Sequence, residues 1–556
     1  MVYIVYIVDL LEYITILLVV CFKVGYMFVK KTKGGSENNP KIYYQLTESY
    51  REKGKKYSKH RVYLNLGYEE ELIKNGKIDE ITECIASIAD NYMIINKNEP
   101  HIKNIKLLGP ILALEAAWKK LQMENHLKQM YADSKIQYDF GKAVKLLVLN
   151  KLCDPKSKLA INKWKNSLYS EDYKDITLNH LYKCLDRLAD NKEILEKKLY
   201  DTTIELFKPN INLVFYDLTT MYFESQNEDD LRRFGYSKDN KTDCTQVVMA
   251  MAVTEDNLPL GYELYECNTY EGSTVTDLIK KLKYKYEIEK IVVVGDKGIL
   301  SKKILSELDD NGYEYIVAAK VSKLPEKYHD EILDLDSYTR VNDELCIKEM
   351  EYEDRRLILC YSEKRAKRDE KMRTMVLEKL NKRIKTNPKG LTSSPAYKKY
   401  LNMDVQKVEI ADDKVEKHAR WDGFFGFYTN NEEFTGEYVL NAYKMLWQIE
   451  ESFRVMKSTL NLRPIYHWTS RRIKGHIAMC YLSFYVGRYI QKVLAEKDIN
   501  ITIESCFDSL SEIHAVELQG VKKLFHTRSE IEGLNNKILR GLGCKIPSYV
   551  LKEENL

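Results

Sequence analysis

The sequence lacks the cysteine patterns that mark zinc sites and disulfide-stabilised secreted domains. Its 11 cysteines are scattered along 556 residues, no CxxC pair occurs, and no set of Cys and His residues has zinc-finger spacing. These absences exclude a structural zinc module and predict reduced, mostly buried thiols in a cytoplasmic protein.

Nucleotide-binding motifs and internal repeats are missing as well. No GxGxxG segment follows a predicted strand, so a dinucleotide-binding fold is not favoured, and no repeat organises the chain. The 44% apolar and 31% charged residues are typical of a soluble globular protein. The length exceeds what one core can fill, and we expect three or four domains.

The first 26 residues, MVYIVYIVDLLEYITILLVVCFKVGY, do not match the composition of the rest. They could span a bilayer, but Asp9 and Glu12 would each cost about 2–3 kcal/mol near its centre. There is no basic start and no small-residue cleavage site, so a signal peptide is not predicted. We expect residues 1–26 to be upstream sequence before a true start at Met27. A membrane anchor is the less favoured alternative.

Positive charge is concentrated in three stretches, although the formal net charge is only +4. Residues 23–62 hold 11 Lys and Arg against three acids, and residues 361–390 hold 11 against four. Residues 452–495 hold eight and contain no Asp or Glu. Such patches favour a polyanionic partner such as nucleic acid. The alternative is chance clustering, since the chain contains 87 Lys and Arg.

The N-terminal third divides into two predicted parts. Residues 27–68 indicate a small basic segment of short strands and turns. Residues 69–206 show helical apolar spacing, and segments such as GPILALEAAWKKLQ have Pro near the first helical position. We expect a mainly helical N-terminal region there that either docks on DNA or serves as scaffold. The sequence does not single out a recognition helix.

The pattern changes to alternating strands and helices after residue 206. Over residues 207–320, the order is β-β-β-α-β-α-β, which is typical of an α/β ribonuclease-H-like core. Residues 321–438 predict an inserted mixed α/β domain. Residues 439–497 predict the C-terminal helices that complete the core, and residues 498–556 form a C-terminal tail without a readable motif.

Two aspartates follow apolar runs that predict buried strands. Asp217 comes after LVFY, and Asp296 comes after VVVG. Ligand sites form at the carboxyl ends of central strands in a mostly parallel sheet, so we expect both side chains at one site. Each aspartate taken alone could instead be a strand cap or turn residue.

A third acid lies in the predicted helix YKMLWQIEESFRVMK, residues 443–457. At about 100° per residue, the apolar side chains form one core-facing stripe. The side chain of Glu450 lies beside that stripe, while Glu451 lies almost opposite and is predicted to be solvated. The face that contains Glu450 also carries Tyr443, Trp447, Arg454 and Lys457.

The three carboxylates of Asp217, Asp296 and Glu450 are hard oxygen ligands. They suit Mg²⁺ or Mn²⁺, which keep water and phosphate oxygens in their remaining coordination positions. Two such ions about 4 Å apart can support in-line attack on a phosphodiester. The residues therefore predict metal-dependent phosphodiester chemistry with two ions and no small-molecule cofactor.

These segments resemble the insertion-sequence DDE transposases whose third-acid helix carries a Tyr-Arg-Glu-Lys signature. The pattern is matched by Tyr443, Glu450 and Lys457 at the right spacing, while Leu446 replaces the expected Arg. The segments VFYDLTTMYFES, VVVGDKGILS and FRVMKSTLNLRPIYHWTSRRIKGHI are also similar to those of the family. The resemblance extends from about Met27 to about residue 500.

The resemblance implies a function and a set of residue roles. Asp217, Asp296 and Glu450 would bind the metal ions, and Tyr443 and Lys457 would contact the DNA backbone near the cleaved end. The chain would bind terminal inverted repeats and target double-stranded DNA, as a homodimer on DNA. It would act in the cytoplasm, associated with the nucleoid when bound. Leu446 removes one expected phosphate contact.

Several further residues are candidate DNA contacts. Arg454 lies one turn beyond Glu450 and could compensate for Leu446. Trp447 could stack on an unpaired base, although packing at the helix edge is the favoured role. Phosphate contacts are also predicted for Arg463, Arg471, Arg472 and Lys474. For these four, a solubilising face is the alternative.

Three alternative functions stay open from the sequence. A plain ribonuclease-H-like nuclease would hydrolyse DNA without strand transfer. An inactive or domesticated derivative would bind specific DNA without cutting it, which the substitution at Leu446 favours and the intact acid triad opposes. A membrane-anchored protein would use residues 1–22.

Overall fold

A computed structural model describes most of the chain after the first 25 residues. The described residues are 26–36, 39–52, 55–86, 102–130, 138–209, 213–224, 226–235, 243–269, 271–288, 291–296, 301–353, 355–386, 397, 399–404, 407–519 and 524–551. They form two compact units. The first comprises the described residues within 26–105, 516–527 and 550–551, and the second comprises the described residues within 106–515 and 528–549. The hydrophobic stretch 1–26 lies outside the described residues, except for Tyr26.

The first unit contains an antiparallel meander followed by a short helical segment. The meander strands are β1 (Tyr26–Ser36), β2 (Asn39–Tyr50) and β3 (Lys59–Tyr68). After it come a π-helical turn (Glu70–Lys74) and α1 (Lys77–Ala86). The turn is tied back to the meander because Glu69 accepts hydrogen bonds from Lys31 at 2.9 Å and Tyr44 at 2.8 Å.

A second sheet, of four strands, combines segments from distant parts of the sequence. Its strands are β4 (Ile102–Leu107), β16 (His514–Gln519), β17 (Leu524–Arg528) and β18 (Val550–Leu551), in the order β18-β17-β16-β4. Strand β4 lies inside the segment predicted to be helical. The prediction missed it because its apolar residues are few and mostly exposed, so no strand-like core pattern marks them.

Helices occupy residues 109–207 in the second unit. They are α2 (Gly109–Lys120), α3 (Met123–Gln129), α4 (Phe140–Cys153), α5 (Lys158–Trp164), α6 (Leu178–Asp190) and α7 (Lys192–Phe207), with a 3₁₀ turn at Lys165–Ser167. Side-chain caps fix several starts: Asp139 accepts from the N–H of Lys142, and Thr177 forms a capping box with His180. Helix α4 is buried along nearly its whole length, so it is the central helix of this bundle.

A nine-stranded sheet forms the centre of the second unit. Its strands are β5 (Leu213–Tyr222), β6 (Gln246–Thr254), β7 (Pro259–Glu266), β8 (Val292–Gly295), β9 (Glu314–Ala319), β10 (Thr339–Asn342), β11 (Leu345–Tyr352), β12 (Arg355–Ser362) and β15 (Phe424–Thr429). The order is β10-β11-β12-β15-β9-β8-β5-β6-β7. Only the β5–β8 and β8–β9 pairs are parallel among the pairs described, so the sheet is mixed.

One face of this sheet is covered by two helices. Helices α8 (Glu271–Tyr286) and α9 (Lys302–Asp310) pack on alternate strand residues, including Val214 and Tyr216 of β5 and Val293 of β8. Short helical pieces follow β9 at Val321–Lys323, Glu326–Tyr328, α10 (His329–Leu333) and Leu335–Ser337.

The opposite face carries the segment predicted as the third-acid helix. Helices α13 (Gly436–Lys444) and α14 (Trp447–Arg454) precede a π-helical turn at Val455–Thr459. Helix α13 packs on β9 and β11. Gly436 allows this close approach, since an added Cβ would lie 2.9 Å from Ile347 and 3.2 Å from Ile358. Helix α14 crosses β5 and β6.

The segment 321–438, predicted to be an inserted domain, extends the central sheet instead. Strands β10, β11, β12 and β15 pair in succession and join β9, with Phe427 opposite Ala318. A smaller excursion leaves this sheet between β12 and β15. It comprises α11 (Glu363–Thr386), the hairpin β13 (Leu401–Asp404) with β14 (Lys407–Ile410), and α12 (Asp412–Ala419).

The last 60 residues, predicted to be a tail, contribute folded elements. After helix α15 (Ser470–Ala495), which lies in the region predicted to form the C-terminal helices of the core, the predicted tail forms α16 (Ile503–Leu510) and α17 (Gly533–Gly541). Gly475 of α15 lies so close to Leu185 of α6 that an added Cβ would sit 2.0 Å from its carbonyl oxygen. The backbone carbonyl of Ile513 accepts hydrogen bonds from the N–H groups of Leu108 and Gly109. Residues 498–551 carry no catalytic motif, which is why the sequence did not reveal their folded elements.

Within the described chain, no helix combines the length and the apolar composition needed to cross a membrane.

Candidate active site

The strand register brings the two predicted aspartates to neighbouring positions. Strands β5 and β8 run parallel, and their last pair is Phe215 with Val294. Asp217 and Asp296 each follow that pair by two residues, and adjacent strands lie about 4.8 Å apart. Both carboxylates therefore lie at the same end of the parallel β5–β8 pair.

Asp217 does not end its strand, contrary to the prediction. Strand β5 continues to Tyr222 because it stays paired with antiparallel β6, where Asp217 is opposite Met251. Only the parallel partner β8 stops, at Gly295. One oxygen of Asp217 accepts the N–H of Leu218 at 2.7 Å.

The two aspartates belong to the face that α13 and α14 cover. Side chains alternate along β5: Tyr216 and Leu218 join the core under α8 and α9, so Asp217 is on the other face. The ring of Tyr443, in α13, contacts Phe427 of that face at 4.6 Å between centroids. Glu450 follows in α14, on the same side of the sheet.

The predicted continuous helix over residues 443–457 is interrupted at Met445 and Leu446. Turn-type bonds replace the helical ladder there, from the N–H of Gln448 to the carbonyl of Met445 and from Ile449 to Leu446. The apolar stripe still faces inward, with Leu446 and Ile449 buried, because the turn preserves the side on which these residues lie. The Glu450 side chain is exposed.

The prediction that Glu451 is solvated is wrong. Its side chain is 18% exposed and forms an ion pair with the buried guanidinium of Arg488 in α15. Glu451 also accepts from the side-chain amide of Asn257 at 3.4 Å, and Ser452 donates to Asn257 at 2.8 Å. Asn257 is in the β6–β7 turn. Helix α14 is thus fastened through a residue about 100° around the helix from Glu450.

The negative charges of all three candidate acids act on the hydroxyl of Tyr443. Burial, followed by the charges of Asp296, Glu450 and Asp217, raises its pKa to about 12, against a smaller opposing effect from Arg365. The hydroxyl stays protonated at neutral pH, so it can donate to a phosphate oxygen. Arg365, in α11, is a nearby cation that the sequence did not single out, although the basic stretch 361–390 contains it.

Asp217, Asp296 and Glu450 do not form a tight single-ion cluster. Among the described residues, the acids whose ligand oxygens all lie within 4.8 Å of one another are Glu193, Glu196 and Glu263. Lysines neutralise that group: Lys192 contacts all three, and Lys285 contacts Glu193 and Glu196. We interpret it as an ion-pair network that joins α7 to β7.

Arg471 and Arg472, two of the predicted phosphate contacts, are paired with acids of helix α6. Arg471 donates to Asp190 at 2.9 Å, and Arg472 donates to Asp186 at 3.3 Å while its guanidinium lies 5.0 Å from the ring of Tyr182. Both aspartates belong to α6. These two arginines of the acid-free stretch 452–495 therefore have their counter-charges on α6.

The other predicted contacts differ in exposure. Arg454 is 69% exposed and lies 3.6 Å from Glu451, and Lys474 is exposed on α15. The guanidinium of Arg463 lies 5.2 Å from the ring of Tyr222, at the end of β5. Lys457 is half-buried in the π-helical turn.

Trp447 is 58% exposed, so packing at the helix edge does not account for most of its surface. Leu446, which stands where the resemblance expects Arg, is buried in the core instead.

Comparison with known protein families gave two matches. The model described as "Transposase DDE domain" matches residues 208–485, and the model "IS1634 family transposase, N-terminal domain" matches residues 29–93. No curated protein matched the chain.

Solved structures are similar only at low identity. A piggyBac transposase synaptic complex with hairpin DNA is 9% identical, with a TM-score of 0.35, over 72% of this chain and 79% of that one. A Mos1 transposase paired-end complex with the left transposon end is 12% identical, with a TM-score of 0.15, over 32% of this chain and 58% of that one.

Proposed function

The chain belongs to the DDE transposase family, and on that premise we propose that it moves an insertion sequence by cutting and joining DNA. In this proposal it binds terminal inverted repeats, cleaves phosphodiester bonds at the element ends and transfers the 3′-hydroxyl ends to target DNA. The N-terminal match to an insertion-sequence transposase family supports this element type.

The register of β5 and β8 is the observation that supports the proposal most. Asp217 and Asp296 each follow the last parallel pair by two residues, and helix α14, which carries Glu450, packs on β5. Electrostatics agree, because the charges of all three acids act on the hydroxyl of Tyr443. Three carboxylates in one region repel each other unless cations or hydrogen-bond donors balance them.

The donor chemistry of these acids fits Mg²⁺ or Mn²⁺, which prefer carboxylate oxygens and keep water ligands. We propose that Asp217, Asp296 and Glu450 hold two ions, and a two-ion site spreads its ligands more widely than a single-ion site. When bound, such ions activate the attacking hydroxyl and stabilise the leaving oxygen.

The remaining residues bind and orient the DNA in this proposal. The protonated hydroxyl of Tyr443 donates to a non-bridging phosphate oxygen near the cut, and Lys457 contacts the adjacent backbone. Arg454, one helical turn beyond Glu450, replaces the phosphate contact that Leu446 cannot make. Arg463 and Lys474 add further phosphate contacts, while Arg471 and Arg472 do so only in competition with Asp190 and Asp186.

Two element ends must be held together for both to be joined to one target. We therefore propose a homodimer on DNA, with one active site acting on each end.

The test is an end-cleavage and strand-transfer assay on linear DNA that carries the element's ends. Products joined to a target plasmid support the transposase, whereas nicks without joined products favour a plain nuclease. Uncut but specifically bound DNA favours the binding-only derivative.

A further inference from the structure

Two large aromatic side chains are exposed between the π-helical turn and α15. Tyr466 is 72% exposed and Trp468 is 69% exposed, while Ile465 is buried and His467 is partly buried. This alternation is typical of an extended backbone, in which side chains two positions apart point the same way and are about 7 Å apart. Tyr466 and Trp468 thus present two rings on one side of the segment.

The beginning of this segment is held by buried cationic and imidazole groups. Lys151 of α4 donates to the carbonyl of Asn461 at 2.9 Å, and His476 of α15 donates to the carbonyl of Leu462 at 3.1 Å. Lys151 and His476 are both more than nine-tenths buried. The backbone before the aromatic pair is therefore fixed to two helices.

The end of the segment is held independently. The buried guanidinium of Arg232 donates to the carbonyl of Trp468 at 3.2 Å and to Asp229 at 2.8 Å. Between the two rings, His467 packs edge-on against Tyr182 with centroids 6.1 Å apart. The rings are exposed although the backbone that carries them is fixed, so flexibility does not explain their exposure.

The surroundings favour a nucleic acid as the partner. Arg463 starts the same segment and lies over Tyr222, which is five residues beyond Asp217 on β5. The surrounding stretch 452–495 holds eight cationic side chains. Arg454 and Lys474 of this stretch are exposed, while Arg471, Arg472 and Arg488 pair with acids of other elements. Planar aromatic rings beside cations are the usual platform for unpaired bases. Side chains two positions apart on an extended backbone are spaced widely enough to admit one base of about 3.4 Å thickness.

We propose that Tyr466 and Trp468 stack on an unpaired base of the DNA substrate close to the cleaved end. The proposal rests on the proposed function, since it takes DNA as the substrate and adds the form in which part of it is bound. The carbonyl contacts from Lys151, His476 and Arg232 position the pair before DNA arrives.

The test uses a 20-base-pair duplex with a three-nucleotide single-stranded extension that contains 2-aminopurine, bound by the full-length chain in EDTA. Stacking should quench 2-aminopurine fluorescence. The double variant Tyr466→Ala/Trp468→Ala should lose most of that quenching and bind the extended duplex about tenfold or more weakly. Its affinity for the same duplex with blunt ends should be unchanged.

A matched control is Tyr284→Ala, which removes a 92% exposed ring from α8 on the opposite face of the sheet. It should quench and bind like the unsubstituted chain. Trp468→Phe should keep most of the quenching, since it retains a ring. Thermal melting should be the same for all four proteins, because both target side chains are exposed.

Unchanged quenching in the double variant would overturn the proposal. The proposal would also be overturned if the double variant kept its quenching but changed its sedimentation coefficient. The two rings would then mediate contact between two copies of the chain. If the chain cleaves no element end but still quenches 2-aminopurine, the proposed transposase function is refuted and the stacking site stands.

Discussion

The carboxylate of Glu451 forms an ion pair with the buried guanidinium of Arg488, while its neighbour Glu450 points to solvent. One glutamate fastens α14 to α15, and the adjacent one is left available on the side that the candidate site occupies. Substitutions at the two positions should therefore have different effects.

Glu450→Gln should abolish end cleavage without changing stability. A neutral amide is a poor ligand for Mg²⁺. Removing a residue that only hydrogen-bonds to a metal ligand lowers metal affinity or activity about 10–100-fold, so we expect the cleavage rate to fall about a hundredfold or more. The measurement is Mg²⁺-dependent end cleavage together with thermal melting. Glu437→Gln, an exposed glutamate of α13, is the matched control and should cleave normally. Comparable cleavage by both variants would refute the assignment of Glu450.

Glu451→Gln should destabilise the chain, because it leaves the Arg488 guanidinium buried without its carboxylate. The expected loss is about 2–4 kcal/mol in the free energy of unfolding, measured by urea denaturation. Replacing both residues, as in Glu451→Gln/Arg488→Met, should recover part of that loss since no unpaired charge stays buried. A single variant as stable as the unsubstituted chain would show that the pair contributes little.

Lys158 should make stability rise with pH above neutrality. Burial lowers its pKa to about 7, and no described carboxylate forms an ion pair with it. Below pH 7 both folded and unfolded chains bind the proton, and the full cost of burying the charge is present. Between pH 7 and the normal lysine pKa, only the unfolded chain binds it, so the free energy of unfolding increases with pH.

The measurement is urea denaturation of Lys158→Met and the unsubstituted chain at pH 7 and pH 9. The difference between the two proteins should shrink by about 2 kcal/mol from pH 7 to pH 9. Lys163→Met removes an exposed lysine of the same helix and should show no such change. If the free energy of unfolding depends on pH equally in the unsubstituted chain, Lys158→Met and Lys163→Met, then folding does not bury a charged Lys158.

Arg454→Ala should weaken DNA binding more than Arg471→Ala. Arg454 is 69% exposed and makes one 3.6 Å contact with Glu451, which Arg488 also neutralises. Arg471 donates to Asp190 through two nitrogens, so its release to a phosphate costs the stronger ion pair. Fluorescence anisotropy across a salt series should show the slope of log K against log salt falling by about one for Arg454→Ala. A larger change for Arg471→Ala would reverse this ranking.

Tyr443→Phe should reduce end cleavage and leave its pH profile unchanged up to about pH 10. Burial is the largest cause that raises the pKa of this hydroxyl, so it acts as a donor and stays protonated in that range. The reduction should be about tenfold, the effect of losing one hydrogen bond to a charged oxygen. Initial cleavage rates from pH 7 to pH 10 test this, and a loss of the alkaline limb in the variant alone would contradict it.

Local pattern was sufficient for part of this structure. The apolar runs before Asp217 and Asp296 identified two central strands, and helical periodicity identified the inward stripe that includes Ile449 and Phe453. These features depend on residues close in sequence, whose spacing reports directly on which side of an element is buried.

Features set by distant partners could not be predicted in this way. The burial of Glu451 depends on Arg488, 37 residues later, and the central position of Asp217 in β5 depends on where β8 happens to stop. The segment around β10–β12 looked like a separate domain because its strands are followed by the long basic helix α11. Only their pairing with β15 assigns them to the main sheet.

The excursion between β12 and β15 leaves and returns at the same point. The N–H of Ser362 donates to the carbonyl of Gly423 at 3.1 Å, so about 60 intervening residues close on a single hydrogen bond. The number of residues in this excursion therefore does not set the distance between Asp296 and Glu450, although 154 positions separate them in sequence. This junction is the place where the chain can gain, lose or exchange sequence without moving its carboxylates.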